Sequence, residues 1–365
     1  MKSRLHVLYT DKITVDLLTP IFNDLPQPAR GSRIAIKPNL VVPTPADQGA
    51  TTDPALVEAI VAYLQAQGHK DIRIIEGSAI GYSTERAFRN CGYEAISEKY
   101  NIPLINLQKD AVAKISIRGI DIDICKEALA ADFLINVPVL KAHCQTRITC
   151  ALKNLKGCIS DQEKRRFHRL GLHKPIAALG QALPTHWVIV DGIIGDLTFE
   201  EGGTPINMGR IIAGVDPVLI DTYVLQLLGY DLEDVPYVSL AAQFDIGSSE
   251  LSRANIIEHF DGDTPPVVAQ PANPIAERYR DYIDEREACS ACYGSLIYAL
   301  MRYEEQFGHL GKTVRFAIGQ GFLGKGDHAD SDALGIGSCT KAKFKNHVPG
   351  CPPTAKRILD TLTAR

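Results

Sequence analysis

The sequence predicts an α/β fold: a mostly parallel sheet flanked by helices, with a smaller C-terminal α/β unit carrying a four-cysteine metal site. Three observations lead there. Over the first two thirds, short β-branched runs alternate with amphipathic helical stretches, the habit of a parallel sheet covered by helices. Two Asp-Pro steps, Asp53-Pro54 and Asp216-Pro217, open helices with an N-cap carboxylate and a proline at the first position. Between about Phe260 and Pro274 the composition turns to Asp, Gly, Pro and Gln, a boundary ahead of a cysteine-bearing tail. A chain of 365 residues is long for one hydrophobic core, so the expected division is an α/β ligand-binding domain over 1–260 and a four-cysteine unit over 275–365.

Taken in order, the strand candidates are Arg33–Lys37, Asp71–Ile75, Phe133–Val137, His186–Val190 and Arg210–Ala213, each a short apolar run of the kind buried on both faces. Helices are expected from Ala55 to Leu64, with Gly68 as the stop, and from Val218 to Leu228, closed by Gly229. Alternating Ile and polar residues around Gly119, from Ala113 to Ile124, read as an inserted hairpin. The tail offers a helix beginning near Cys289, strands at Thr313–Ile318 and Ala333–Ile336, and a closing helix from Pro352 to about Thr363.

Composition narrows the function classes. The chain is 45% hydrophobic and 22% charged, with 39 basic against 43 acidic side chains and a net charge of -4, so it carries no electrostatic footprint for nucleic acid. The first ten residues lack an apolar signal core, and no later stretch is long and apolar enough to span a membrane, which makes a cytoplasmic protein the expectation. Nine cysteines in such a chain point to metal binding or catalysis rather than to disulfides.

Four of these cysteines form a constellation: Cys289-Ser-Ala-Cys292, then Cys339 after Gly337-Ser, then Cys351 in Pro-Gly-Cys-Pro-Pro. A Cys-x2-Cys pair with distant partners, one followed by proline, suits a [4Fe-4S] cluster. Cys351 is expected to precede a helix whose first turn takes Pro352 and Pro353, so that the positive helix end favours a thiolate, with Lys341, Lys343 and Lys345 adding to the field. The Gly-Cys-Pro-Pro step resembles the cluster-binding end of hydrogenase small subunits and of the related respiratory complex I subunit. Other readings stay open: buried structural cysteines, a structural zinc site, or a Cys-x-x-Cys dithiol. Gly319-Gln-Gly321-Phe-Leu-Gly324-Lys325-Gly326 lacks phosphate-loop spacing and is expected to let backbone approach the metal site.

A second constellation follows from the rule that open α/β sheets bind ligands beyond the carboxyl ends of their strands. Runs ending in Lys37-Pro-Asn39, Glu76-Gly77, Lys141-Ala-His143, Asp191-Gly192 and Asp216-Pro217 place lysine, histidine and carboxylates on one edge. Lys37, Lys141, His143 and Asp191 are the catalytic candidates. Asn39, Glu76, Lys153, Asn154, His168 and Asp216 are the ligand-binding ones, for a small anionic or metal-bound molecule. Thr149 to Cys158 is expected to be helical. Cys144, Cys150 and Cys158 match no cluster spacing and are assigned to packing, with a second thiol site as the alternative, and the charged run Glu163–His168 reads as exposed surface or else as a mobile basic loop over the site.

Lys37-Pro-Asn39-Leu, Thr52-Asp-Pro54, Val137-Pro-Val-Leu-Lys-Ala-His143, Leu152-Lys-Asn154 with Gly157, Phe167-His168, Asp191-Gly192 and Ala213-Gly-Val-Asp-Pro217 together resemble the domain of unknown function 362 family, over roughly residues 30 to 230. Members are frequently linked to ferredoxin-type cysteine motifs, so the resemblance implies an iron–sulfur cofactor. The cysteine spacing here departs from the usual tandem ferredoxin pattern. The function expected is a [4Fe-4S] protein engaged in electron transfer or redox chemistry, an oxidoreductase in outline. It would bind a small anionic ligand and meet a redox partner protein, but neither nucleic acid nor membrane. The alternative is a non-redox binding or hydrolytic protein with structural zinc.

Overall fold

The computed structural model describes residues 4–262, 275–311, 313–324 and 332–364. The composition break from 263 to 274, and Lys325 and Gly326 of the glycine-rich loop, lie outside the described residues. The chain forms two compact units, one comprising 1–164 and 173–273 and the other 165–172 and 274–365. Residues 165–172 therefore group with the C-terminal unit, although the sequence reading placed them in the first.

The first unit is built on an eight-stranded sheet in the order Asn255–Phe260, Arg4–Tyr9, Pro205–Gly214, Trp187–Asp196, Phe133–Val137, Ile34–Pro38, Ile72–Glu76, Leu104–Asn106. Pro205–Gly214 runs antiparallel to both of its neighbours and every other pairing is parallel. Parallel strands covered on both faces must be apolar throughout, and Ile34–Pro38 and Phe133–Val137 are buried at every position. Helix Pro54–Ala66 starts where expected, with the Asp53 carboxylate accepting from Ala55 N (2.8 Å). Its Tyr63 packs with Phe22 and Trp187 in the main core, the three ring centroids 5.1–6.2 Å apart, and Phe133 sets its edge against Trp187 at 5.7 Å. The expected hairpin is present as Val112–Ile117 against Ile120–Cys125.

Three local expectations need correcting. Asp191 does not end a strand but lies inside Trp187–Asp196, which continues past a register shift between Gly192 and Ile194. Lys141–His143 is not the tip of a sheet strand but one arm of a small hairpin with Arg147–Thr149. The 149–158 segment is a short α-turn, Ala151–Asn154, followed by a 3-10 turn, Leu155–Cys158, that contains Gly157 instead of stopping at it.

The second unit has a four-stranded, wholly parallel sheet ordered Ile283–Glu285, Phe316–Ile318, Leu334–Ile336, His347–Val348. Helices Ser290–Phe307 and Ala355–Thr363 pack together beside it. The closing helix begins later than expected. Its N-cap is Thr354, whose hydroxyl accepts from Arg357 N (3.2 Å), so Pro352 and Pro353 precede the helix and Cys351 does not adjoin it. Among the described residues, no helix is long and apolar enough to cross a membrane.

Candidate functional site

In the first unit, strand register assembles the polar residues. Lys37 pairs with Asn136 across adjacent parallel strands, and Glu76 closes the next strand over. All are buried, so each must find partners inside the protein. Lys37 Nζ donates to Glu76 Oε1 (2.9 Å), Pro38 O (2.9 Å) and Asn154 Oδ1 (3.3 Å), which uses all three of its N–H bonds. Glu76 also accepts from Gly77 N (2.7 Å) and Leu40 N (2.8 Å). Asn39 donates to Asn154 Oδ1 (2.7 Å), and Asn154 donates to Asn136 Oδ1 (2.7 Å). Gly157 is the lid of this knot. A Cβ there would fall 2.2 Å from Glu76 Oε1 and 2.5 Å from Lys37 Nζ, so only glycine fits.

Lys141 ties the knot to a second cluster. Its ammonium donates to Asn39 Oδ1 (2.9 Å) and to the Ala50 carbonyl, and burial, aided by repulsion from Lys153, pulls its pKa down to about 7. Burial likewise lowers Lys153 to about 8, partly offset by Glu200. Lys153 is only 9% exposed and, unlike Lys37, its ammonium makes no hydrogen bond to any described residue. Opposite it in charge stand two neighbouring acids. Glu200 accepts from Cys144 N (3.0 Å) and from the Cys144 thiol (2.8 Å), and its carboxylate lies 3.7 Å from His143 Nε2. Glu201 accepts from Tyr82 Oη (2.9 Å), and burial next to Glu200 pushes it up to about 7. The donor atoms of His143, Cys144 and Glu200 lie within 4.8 Å of one another, a group able to hold a metal ion. His143 Nδ1 accepts from Gln145 N (3.0 Å), which leaves Nε2 on the Glu200 side.

The structure thus gathers Lys37, Asn39, Glu76, Lys141, His143, Lys153 and Asn154, and separates the other three candidates. Both Asp191 oxygens are committed to backbone, accepting from Asp53 N (2.7 Å) and Ile193 N (3.2 Å), and burial raises its pKa to about 7. Asp216 is a helix cap whose oxygens accept from Val218 N (3.0 Å), Leu219 N (2.9 Å) and Ser248 N (2.8 Å). His168 belongs to the second unit, where its Nε2 lies 3.4 Å from Ser290 Oγ. Sequence reasoning missed Glu200, Glu201 and Tyr82 and assigned Cys144 to packing. The signal for the acids was their place before Gly202-Gly203 in the loop joining two long antiparallel strands.

In the second unit the carboxyl-end rule applies to thiols. Cys289 follows strand Ile283–Glu285, Cys339 follows Leu334–Ile336 and Cys351 follows His347–Val348, so parallel topology carries all three to one edge. Cys289 is the N-cap of helix Ser290–Phe307 and Cys292 lies in its first turn, where the helix end favours thiolates. The position a Cβ would take on Gly337, two residues before Cys339, is 3.9 Å from Cys292 Sγ. Burial drives the Cys292 thiol well up, and the nearby charges of Cys289, Cys351 and Cys339 add to it while Arg165 opposes. Lys341 and Lys345 are exposed, and the charge of Arg165 bears on Cys292 and Cys339.

Four gathered thiols are a donor set able to hold a metal centre. Four thiols act on one another electrostatically, yet no three of their sulfurs lie within 4.8 Å of one another. A single tetrahedral zinc with bonds near 2.3 Å would hold its sulfurs about 3.8 Å apart. A multi-iron core likewise takes one thiolate per corner.

Residues 34–226 match the family described as Domain of unknown function (DUF362), and the protein belongs to that family. The chain is also similar to the thylakoid-associated protein sll1697 of Synechocystis sp. (strain ATCC 27184 / PCC 6803 / Kazusa), 28% identical over 231 residues that cover 60% of this chain and 68% of the relative. Among solved structures, the lactate racemase apoprotein from Thermoanaerobacterium thermosaccharolyticum aligns with a TM-score of 0.42 and 12% identity, over 62% of this chain and 57% of that one. This chain therefore spans less than two thirds of that structure's length.

Proposed function

We propose that this protein is an iron–sulfur protein whose C-terminal unit binds one [4Fe-4S] cluster through Cys289, Cys292, Cys339 and Cys351, and whose first unit holds an anionic small molecule for redox chemistry. What supports the first part is the delivery of thiols from three parallel strand ends to a single edge. A bound cluster would supply one-electron transfer. The chain's own residues supply the four thiolates, the helix N-terminus at Cys289 and the cationic side chain of Arg165. The second part rests on Lys153, a largely buried side chain whose ammonium has no hydrogen bond to any described residue and which an anion would satisfy. Lys141, His143 and Glu200 stand near it as proton carriers.

Anaerobic purification tests the cofactor. The expected result is a brown protein with about four irons and four sulfides per chain, both lost in the Cys289→Ser, Cys292→Ser double variant. One equivalent of zinc with no visible absorbance, or iron retained by the double variant, would overturn it.

A further inference from the structure

The fourth parallel strand of the second unit also contributes at its carboxyl end, but not a thiol. Strand Phe316–Ile318 is followed by Gly319-Gln320-Gly321. Gly319 has φ 123° and a Cβ there would fall 1.9 Å from Arg286 O, so glycine alone lets this loop press on the backbone leading into Cys289. The loop is held by Gln320 N donating to Glu287 O (3.2 Å) and Gly321 N donating to Arg286 O (3.0 Å). The buried Gln320 side chain is then placed so that Nε2 donates to Arg165 O at 2.9 Å and turns its other N–H between Cys289 Sγ at 3.5 Å and Glu287 O at 3.4 Å. Arg165 enters through the 165–172 segment, and its charge bears on Cys292 and Cys339.

We infer that Arg165 and Gln320 set the reduction potential of the cluster by stabilising its reduced form. The inference rests on the iron–sulfur reading above. Reduction adds one electron and no proton to an assembly whose four thiolates already make it anionic. A nearby guanidinium and an N–H aimed at a ligand sulfur both favour that added charge, and both raise the potential. Gln320 couples the two, because its amide spans the Arg165 carbonyl and the Cys289 sulfur. Neither residue is a ligand; each acts through the cysteines.

The test is a redox titration of the anaerobically purified full chain with dithionite as electron donor, followed by visible absorbance, with iron and sulfide measured on the same samples. Arg165→Gln is expected to keep its iron and to shift the reduction equilibrium about tenfold toward the oxidised form, roughly 59 mV. Arg165→Lys, which keeps the charge, should titrate like the parent. Gln320→Leu should shift in the same direction by a smaller factor, and it remains informative if Arg165→Gln fails to fold. Unchanged potentials in an iron-replete Arg165→Gln or Gln320→Leu would overturn the inference. So would equal shifts in Arg165→Gln and Arg165→Lys, which would mark a packing effect rather than charge. A parent that takes up no iron sinks the cluster reading and this inference together, whereas an iron-replete parent with indifferent variants sinks this inference alone.

Discussion

The two units use the same topological device to opposite ends. Each gathers side chains where parallel strands finish, but the first unit brings together donors and acceptors that satisfy one another, and the second brings together thiols that do not. Lys37, Glu76, Asn39 and Asn154 form a closed buried network in which every N–H of the lysine has an acceptor. Such a network holds a fold together and has nothing left to offer a ligand. Cys292 and Cys339 are held back from ionising first by burial and then by the like charge of neighbouring cysteines, an arrangement that a bound cation or cluster relieves. Lys153 belongs with the second kind although it sits in the first unit, because its side chain is largely buried and its ammonium has no hydrogen bond to any described residue. Convergence locates a site, and the hydrogen bonds left unmade tell scaffold from ligand-binding surface.

Breaking the closed network should have the largest effect on stability. Glu76→Gln leaves the Lys37 ammonium buried beside a neutral amide and is expected to lower the free energy of unfolding by about 3–5 kcal/mol, read from urea midpoints. Gly157→Ala attacks the same ion pair from above, with a Cβ inside the contact distance of both partners, and should cost about 3 kcal/mol. Loss below about 1 kcal/mol in either variant would mean that the network is not the scaffold it looks like. Lys153→Met sharpens the contrast by going the other way. Removing a largely buried cation that has no hydrogen bond to any described residue should raise stability by about 1 kcal/mol, and the thermal stabilisation expected of the parent with inorganic phosphate should be lost. A destabilised Lys153→Met would return Lys153 to the scaffold.

The smallest effect is a slope. Lys141 has a folded pKa near 7 against an ordinary 10.5, so between those values the unfolded chain binds more protons and stability rises with pH across that window. The contribution is at most about 1.4 kcal/mol per pH unit. Lys141→Met should flatten the rise, seen as thermal midpoints measured from pH 7 to 10. An unchanged slope would show that Lys141 keeps its proton in the fold.

Much of this was legible in the sequence because strands, Asp-Pro caps and the inserted hairpin are local. Asp53 and Asp216 declare helix starts through neighbours two and three residues away, and the structure uses both in that way. The same locality misled where a role depended on distant partners. Asp216 had the same cap signature as Asp53 and was still enlisted as a ligand, and Asp191 was read as a strand terminus because a following glycine hid the continuation of its strand. The run Glu163–His168 looked like a solvated loop. It is part of helix Asp161–Arg169, in which Lys164 donates to Gly77 O and Ser78 O of the first unit, while Arg165 and His168 serve the second.

By itself the sequence determined the alternation of strands and helices, the family motifs and the four cysteines, since apolar periodicity, caps and residue type are properties of short segments. Tertiary structure alone decided that Lys37 and Glu76 neutralise each other while Lys153 does not, that Glu200 and Glu201 face the lysines, and that Arg165 stands by the thiols. Those outcomes depend on register and crossover between segments tens of residues apart, and no local pattern encodes which buried charge finds a partner.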